Sequence, residues 1–119
     1  MFPSYLLNQL YFKNSLKNTP NGFEFSIKNI VDSGTLVGIG PVTMDGKTYD
    51  AAALTILMGS QERSASEVSH AAPLSVYMGS VLRILVSGES LAPGEHQGNV
   101  IADTREMGRI RFEFKELLT

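Results

Sequence analysis

Few side chains in this sequence have the types and spacing that chemistry needs. There are two histidines, His70 and His96, and no cysteine. The lack of cysteine excludes a Cys nucleophile, a thiolate metal site and a disulfide framework. A mononuclear metal centre wants three or more converging His or carboxylate ligands. His70 and His96 stand 26 positions apart with no ligand spacing between them, so neither is expected to hold a catalytic metal. His70 falls in the loop-like stretch Ser66-Glu67-Val68-Ser69-His70-Ala71-Ala72-Pro73. Loops carry contacts more often than strands, which makes His70 a candidate for touching a partner. His96 follows Pro93-Gly94-Glu95 and is expected to pack its ring at a strand end beside that turn.

Other constellations are incomplete. Ser80 is preceded by Gly79, but Leu82 stands where a nucleophile elbow needs its second glycine. Gly38-Ile39-Gly40-Pro41 lacks the third glycine of a dinucleotide fingerprint and the Lys-Ser/Thr of a P-loop. Its glycines are expected to let a strand bend or bulge instead. Glu95, Asp103, Glu106 and Glu113 are near in sequence, yet nothing sets two of them across one cleft as glycoside hydrolysis requires. No catalytic, cofactor-binding or metal-ligating residue is therefore assigned to this chain.

The elements that would position these residues are strands. Phe23, Phe25 and Ile27 alternate with Glu24, Ser26 and Lys28, and Ile110, Phe112 and Phe114 alternate with Arg109, Arg111, Glu113 and Lys115. Period two with one apolar side is the mark of a half-buried strand, so the six apolar residues are placed inside. Leu82, Ile84 and Val86 share one face of a run whose other face, Val81, Arg83 and Leu85, is also largely apolar, which suits a central strand. Leu54, Ile56 and Met58 form a shorter run, and near the start Leu10 and Phe12 alternate with Tyr11 and Lys13, with Leu16 inward. Asn21-Gly22 and Asp45-Gly46 suit two-residue hairpins, since both positions tolerate positive φ. Pro93-Gly94 suits a type II turn. Ser60 to Ala72 reads as a loop or irregular edge strand with at most one helical turn, and Ala51 to Leu54 as a brief coil. The expected fold is all-β: a single antiparallel β-sandwich, or a distorted barrel, of about seven to nine short strands.

The chain of 119 residues suits one domain, 1–119, and 43% hydrophobic against 18% charged residues excludes disorder. A formal charge of -2 leaves no electrostatic footprint for nucleic acid. No apolar run is long enough to span a bilayer and no start resembles a signal peptide, so a cytoplasmic protein is expected. The N-terminal Met1-Phe2-Pro3-Ser4-Tyr5-Leu6-Leu7 is unusually apolar for a chain end. Residues 1–9 could be a first strand docked in the sheet or an arm against another subunit. Pro73-Leu74-Ser75-Val76-Tyr77-Met78 is similarly rich for a connection, and Tyr and Met favour interface cores. Phe2, Tyr5, Leu6, His70, Pro73 and Tyr77 are the expected partner contacts.

The order of segments resembles a family of small β proteins. Asn14-Ser15-Leu16-Lys17-Asn18 leads to Gly22-Phe23-Glu24-Phe25-Ser26-Ile27, then to Gly34-Thr35-Leu36-Val37-Gly38-Ile39 and Val42-Thr43-Met44-Asp45-Gly46-Lys47, and Leu91-Ala92-Pro93-Gly94-Glu95-His96 opens the late strands. Over about residues 10 to 115 this is similar to the β subunits of C-glycoside deglycosidases. That resemblance implies a hetero-oligomer in which a larger, sugar-isomerase-like barrel α subunit carries a divalent metal, Mn or Mg, and the acid–base residues. The reaction would be a carbon–carbon lyase step on a 3-keto C-glycoside, with metal stabilising an enolate. This chain would be a non-catalytic scaffold without a cofactor of its own.

Two rivals stand beside that reading. A stand-alone carbohydrate- or ligand-binding module would expose aromatics for stacking, and Tyr5, Tyr11, Tyr49 and Tyr77 are the available rings in a chain without Trp. A homo-oligomeric, cupin-like metal enzyme would need more histidines than two.

Overall fold

The computed structural model describes residues 4–119, with side chains from residue 6 onward. Among the described residues, ten strands follow a short helix: α1 (Ser4–Leu7), β1 (Lys17–Thr19), β2 (Gly22–Lys28), β3 (Gly34–Met44), β4 (Lys47–Tyr49), β5 (Leu54–Met58), β6 (Gln61–Ser64), β7 (Leu74–Val76), β8 (Val81–Ser87), β9 (Gly94–Thr104) and β10 (Gly108–Leu118). One sheet has the order β1-β2-β8-β5-β6 and the other β10-β9-β3-β4, with β7 pairing a further stretch of β3. Every pairing between these strands is antiparallel. This is an all-β, sandwich-like fold. Three strands, β1, β4 and β7, are only three residues long, too short to show a period in the sequence, which is why there are more than the expected seven to nine.

The alternating runs behave as their period requires. Phe23, Phe25, Leu82, Ile84 and Val86 from one sheet meet Val42, Val100, Phe112 and Phe114 from the other in a shared core. Phe25 touches Phe114 across the sandwich with ring centroids 5.1 Å apart. Ile27 and Ile110, at the ends of their runs, are packed against this core and only partly buried. β8 is central, between β2 and β5, although Val81 and Arg83 on its outer face are exposed.

The Asp45-Gly46 hairpin forms as expected, with positive φ at both residues, 53° and 85°. The Asn21-Gly22 expectation needs correcting. The turn is Pro20-Asn21, and Gly22 already pairs with Thr19 and Ser87 as the first residue of β2. Glycine is needed there for contact: a Cβ would collide with the Val86 carbonyl. The Gly38–Pro41 stretch bulges, with register shifts against β9 between Leu36 and Gly38 and between Ile39 and Val42. Pro41 cannot donate to a ladder, so an interior strand accepts it at such an irregularity.

Of residues 1–9, those described form no strand, since Ser4–Leu7 is helical. After α1, a 3-10 helix over Asn8–Leu10 buries Leu10, and Leu7 joins it in the protein's own core. Asn8 Oδ1 accepts the backbone N–H of Glu113 at 2.9 Å, capping part of the outer edge of β10. The 3-10 turn also shifts the parity that follows. Tyr11 is buried and Phe12 is 46% exposed, the reverse of the expected alternation. Ser60 to Ala72 resolves into β6 and a 3-10 turn at Ala65–Glu67, and Ala51–Ala53 is likewise a 3-10 turn.

Candidate functional site

The two ends of the sandwich differ in chemistry. Along the inner face of β9 and β10, Ala102 faces Ile110 and Val100 faces Phe112 toward one end, whereas His96 faces Glu116 at the other. The first end holds an open cleft of ≈ 80 Å³ between the sheets. Its walls are Leu10, Ile27, Leu36, Ile39, Leu82 and Ile110 with their neighbours, and its charged lining residues are Lys28 and Asp32.

Three loops frame the mouth, and backbone hydrogen bonds hold them together. Asn29 is the hub. Its N–H donates to Ser80 O at 2.9 Å, its carbonyl accepts Gly79 N–H at 2.7 Å, and its Nδ2 donates to Asp32 O and Val76 O. Ser33 Oγ accepts the Met78 N–H. On the other side, Glu106 takes the N–H and the hydroxyl of Thr35 through its two carboxylate oxygens, and Arg105 N–H donates to Thr35 O. These bonds hold Glu106 below the usual carboxylate range. The framed loops present large apolar side chains to solvent: Tyr77 is 66% and Met78 60% exposed, and Ile30 and Met107 are also exposed. A fixed apolar rim around an apolar cleft is the arrangement of a docking surface.

At the opposite end His96 is buried. Its Nδ1 lies 2.5 Å from Asp45 Oδ2 and its Nε2 lies 2.6 Å from the Ala92 carbonyl. Asp45 Oδ1 also accepts the Gln97 N–H at 2.8 Å. A His–Asp pair is two-thirds of a hydrolase triad, but a general base must offer a free Nε2 to the nucleophile. Here that nitrogen is taken by the backbone, so the pair is structural. Nearby, Tyr11 donates to Glu116 Oε1 at 2.7 Å, and burial together with that carboxylate pushes the phenol well above its ordinary range. Among the described residues, no group of three or more His, Asp or Glu could hold a metal ion.

The residues singled out from the sequence do not converge. Phe2 lies outside the described residues, as does the side chain of Tyr5. Leu6 is half-buried on α1. His70 is exposed on the loop after β6, and Pro73 is half-buried at the end of that loop, its carbonyl held by Arg63. Tyr77 is exposed and directly follows Val76, which lines the cleft. Sequence reasoning passed over Asn29 and weighed Glu106 only as one of four carboxylates with no partner across a cleft, yet both order that mouth. Their only signal was turn-favouring chemistry, an Asn just past a strand and an acid in a hairpin loop. Among the described residues no helix is long and apolar enough to cross a membrane.

A family model described as "hydroxymethylglutaryl-CoA reductase, N-terminal domain" matches residues 6–119. No curated protein matches the chain. The family match overturns the expectation of a C-glycoside deglycosidase β subunit, and with it the lyase reaction and the sugar-isomerase-like barrel partner. It equally removes the stand-alone carbohydrate- or ligand-binding module. The manganese or magnesium expected in the partner rested on that resemblance alone. The segments that carried the resemblance are accounted for by the fold: Asp45-Gly46 makes a hairpin and Leu91–His96 a strand entry, features any antiparallel sandwich can use. With nearly its whole length matched, the chain belongs to the family of hydroxymethylglutaryl-CoA reductase N-terminal domains.

Proposed function

We propose that this chain serves a hydroxymethylglutaryl-CoA reductase as a packing domain, seating the cleft end of its sandwich on the rest of that enzyme. The supporting observation is the loop after Val76: Tyr77 and Met78 are exposed, and Val76 lines a cleft walled almost wholly by apolar groups. The family description names a domain, which implies a remainder for it to pack against.

The alternative role, holding the substrate's acyl group, fits this cleft poorly. A hydroxymethylglutaryl group carries a carboxylate and a hydroxyl, and burying either without a partner costs several kcal/mol, roughly 2–7 for the hydroxyl and more for the charge. The lining offers one cation, Lys28, and Asp32 stands with it. An apolar side chain of a neighbouring domain meets no such penalty, and each one buried contributes about 1.5–3 kcal/mol.

The test mixes the chain with a hydroxymethylglutaryl-CoA reductase catalytic domain and measures association by sedimentation and turnover by loss of hydride donor. Association that weakens about 30-fold in the double variant Y77S/M78S, with melting of the free chain unchanged, is the expected result. Thioester reduction by the chain alone, or association indifferent to that variant, would overturn the reading.

A further inference from the structure

The polar end of the sandwich holds an arrangement that packing alone does not require. The His96 ring is wedged between two acceptors, the Asp45 carboxylate at Nδ1 and the Ala92 carbonyl at Nε2. A neutral imidazole carries one N–H and one lone pair. Whichever tautomer forms, its lone pair would point at an oxygen 2.5 or 2.6 Å away. Only the imidazolium, with a proton on each nitrogen, satisfies both contacts. We propose that His96 is a protonation-dependent latch, fastening the β3–β4 hairpin to the entry of β9 when charged and releasing it when neutral.

The latch joins three pieces of chain. Asp45 belongs to the hairpin turn and is tied to Gln97 twice: its carboxylate accepts the Gln97 N–H, and its own N–H donates to Gln97 O at 2.8 Å. Ala92 belongs to the turn before β9, and Leu91 beside it is held to β1 through both ends of the Asn18 amide. Release of His96 would therefore loosen hairpin, turn and strand entry together.

The acidic groups around the ring favour the same state. Asp45 is the carboxylate against the ring. Glu116, the cross-strand neighbour on β10, faces the same side, with its Oε1 taken by Tyr11 and by the Asn14 N–H. Glu95 and Glu89 are exposed on the adjoining strand and loop, and Lys47 of the hairpin stands over the Tyr49 ring. The hydrogen bond to the Asp45 carboxylate, then that to the Ala92 carbonyl, hold His96 above the usual imidazole value. For a group raised on folding, the stabilisation is complete below the unfolded value near pH 6.5 and fades as pH climbs through the folded one.

The experiment is a ring-nitrogen NMR titration of His96 in the whole chain, paired with melting curves from pH 5.5 to 9. The informative variant is Asp45→Asn. Asparagine accepts the positive φ of this turn and keeps an oxygen for the Gln97 N–H, so it removes the charge and spares the hairpin. The wild type should show both ring nitrogens protonated at pH 7 and a melting temperature that falls as His96 titrates. In D45N the midpoint should drop, and the fall in melting temperature should move with it. His96→Gln, as the second variant, should lose that fall altogether. A wild-type ring with a bare nitrogen at pH 7, or a pH–melting profile shared by wild type and H96Q, would overturn the latch.

Discussion

Tyr11 and Phe114 lie face to face, their ring centroids 3.9 Å apart and their planes within 1° of parallel. On its other side the Phe114 ring covers Gly98, its cross-strand partner, closely enough that a Cβ there would overlap the ring. Phe25 closes the third side. The ring is confined by a stack, a tilted ring and a bare backbone, so the absence of a side chain at position 98 is part of the core.

The first prediction follows from that confinement. Gly98→Ala should destabilise the fold by about 2 kcal/mol, the usual cost of overpacking where neighbours cannot move aside. Urea denaturation measures it. Adding Phe114→Leu should recover part of the loss, because the smaller side chain relieves the clash. If G98A is neutral, the Phe114 ring is free to swing and the confinement is not real.

A second prediction concerns Glu24, buried to 5% exposure on the outer side of β2. Arg83 on β8 grips it with two bonds of 3.0 Å. Those bonds, opposed by burial, hold the Glu24 carboxyl below its usual range. A lowered carboxylate contributes stability above its unfolded value near 4.5, and that contribution is lost as pH falls through the folded value. Replacing Arg83 by Met strands a buried charge. The expected cost at pH 7 is about 2 kcal/mol, less than a fully buried pair because the Arg83 side chain is half exposed. Acidification to pH 4 should shrink the difference between R83M and wild type, since protonated Glu24 no longer needs a partner. Chemical denaturation at the two pH values decides it.

The third prediction tests the cleft as empty space. Ala102 is 3% exposed on the inner face of β9 and lines the cleft beside Ile110. Ala102→Val adds two methyl groups toward that space and suits a strand. It should raise stability by about 1 kcal/mol. Under the docking role it should also weaken association with the reductase, separating the interests of the free chain from those of the complex. A destabilised A102V would mean that the cleft wall is already filled.

What the sequence disclosed divides along physical lines. Phe23, Phe25, Phe112 and Phe114 announced the sandwich because period two and core burial are one constraint seen twice. Asp45-Gly46 announced its hairpin because the turn's positive φ angles select those residue types. The Tyr11–Phe12 parity was illegible, since a three-residue 3-10 turn just before it resets which side faces in. The cleft was hidden for a different reason. Its mouth depends on Asn29 and Ser33 of one loop meeting the Val76–Ser80 stretch, and on Thr35 in β3 meeting Glu106, and no local pattern marks residues that bond across 71 positions. Family resemblance failed on the same ground. The quoted turns report what an antiparallel fold needs, and that is common to proteins with different work.

The last prediction addresses the loop that carries His70. Arg63 on β6 reaches over it with one guanidinium, donating to the carbonyls of Pro73, Glu67 and Ala72 at 3.0, 3.0 and 2.7 Å. Val68 anchors the start of the loop in the core, and its later part is otherwise held by the mutual Ser69–Ala72 backbone bonds and the Ala72 N–H to Ser69 Oγ. Arg63→Ala removes all three anchors at once. The loop should then open locally, cutting about tenfold faster under a protease that cleaves after small residues, while global stability falls by only about 1 kcal/mol. Arg63→Lys should rescue little, because a lone ammonium cannot span carbonyls that a planar fork reaches together. Equal cutting rates in wild type and R63A would show that the loop is held by its own turn bonds, and that Arg63 merely lies across it.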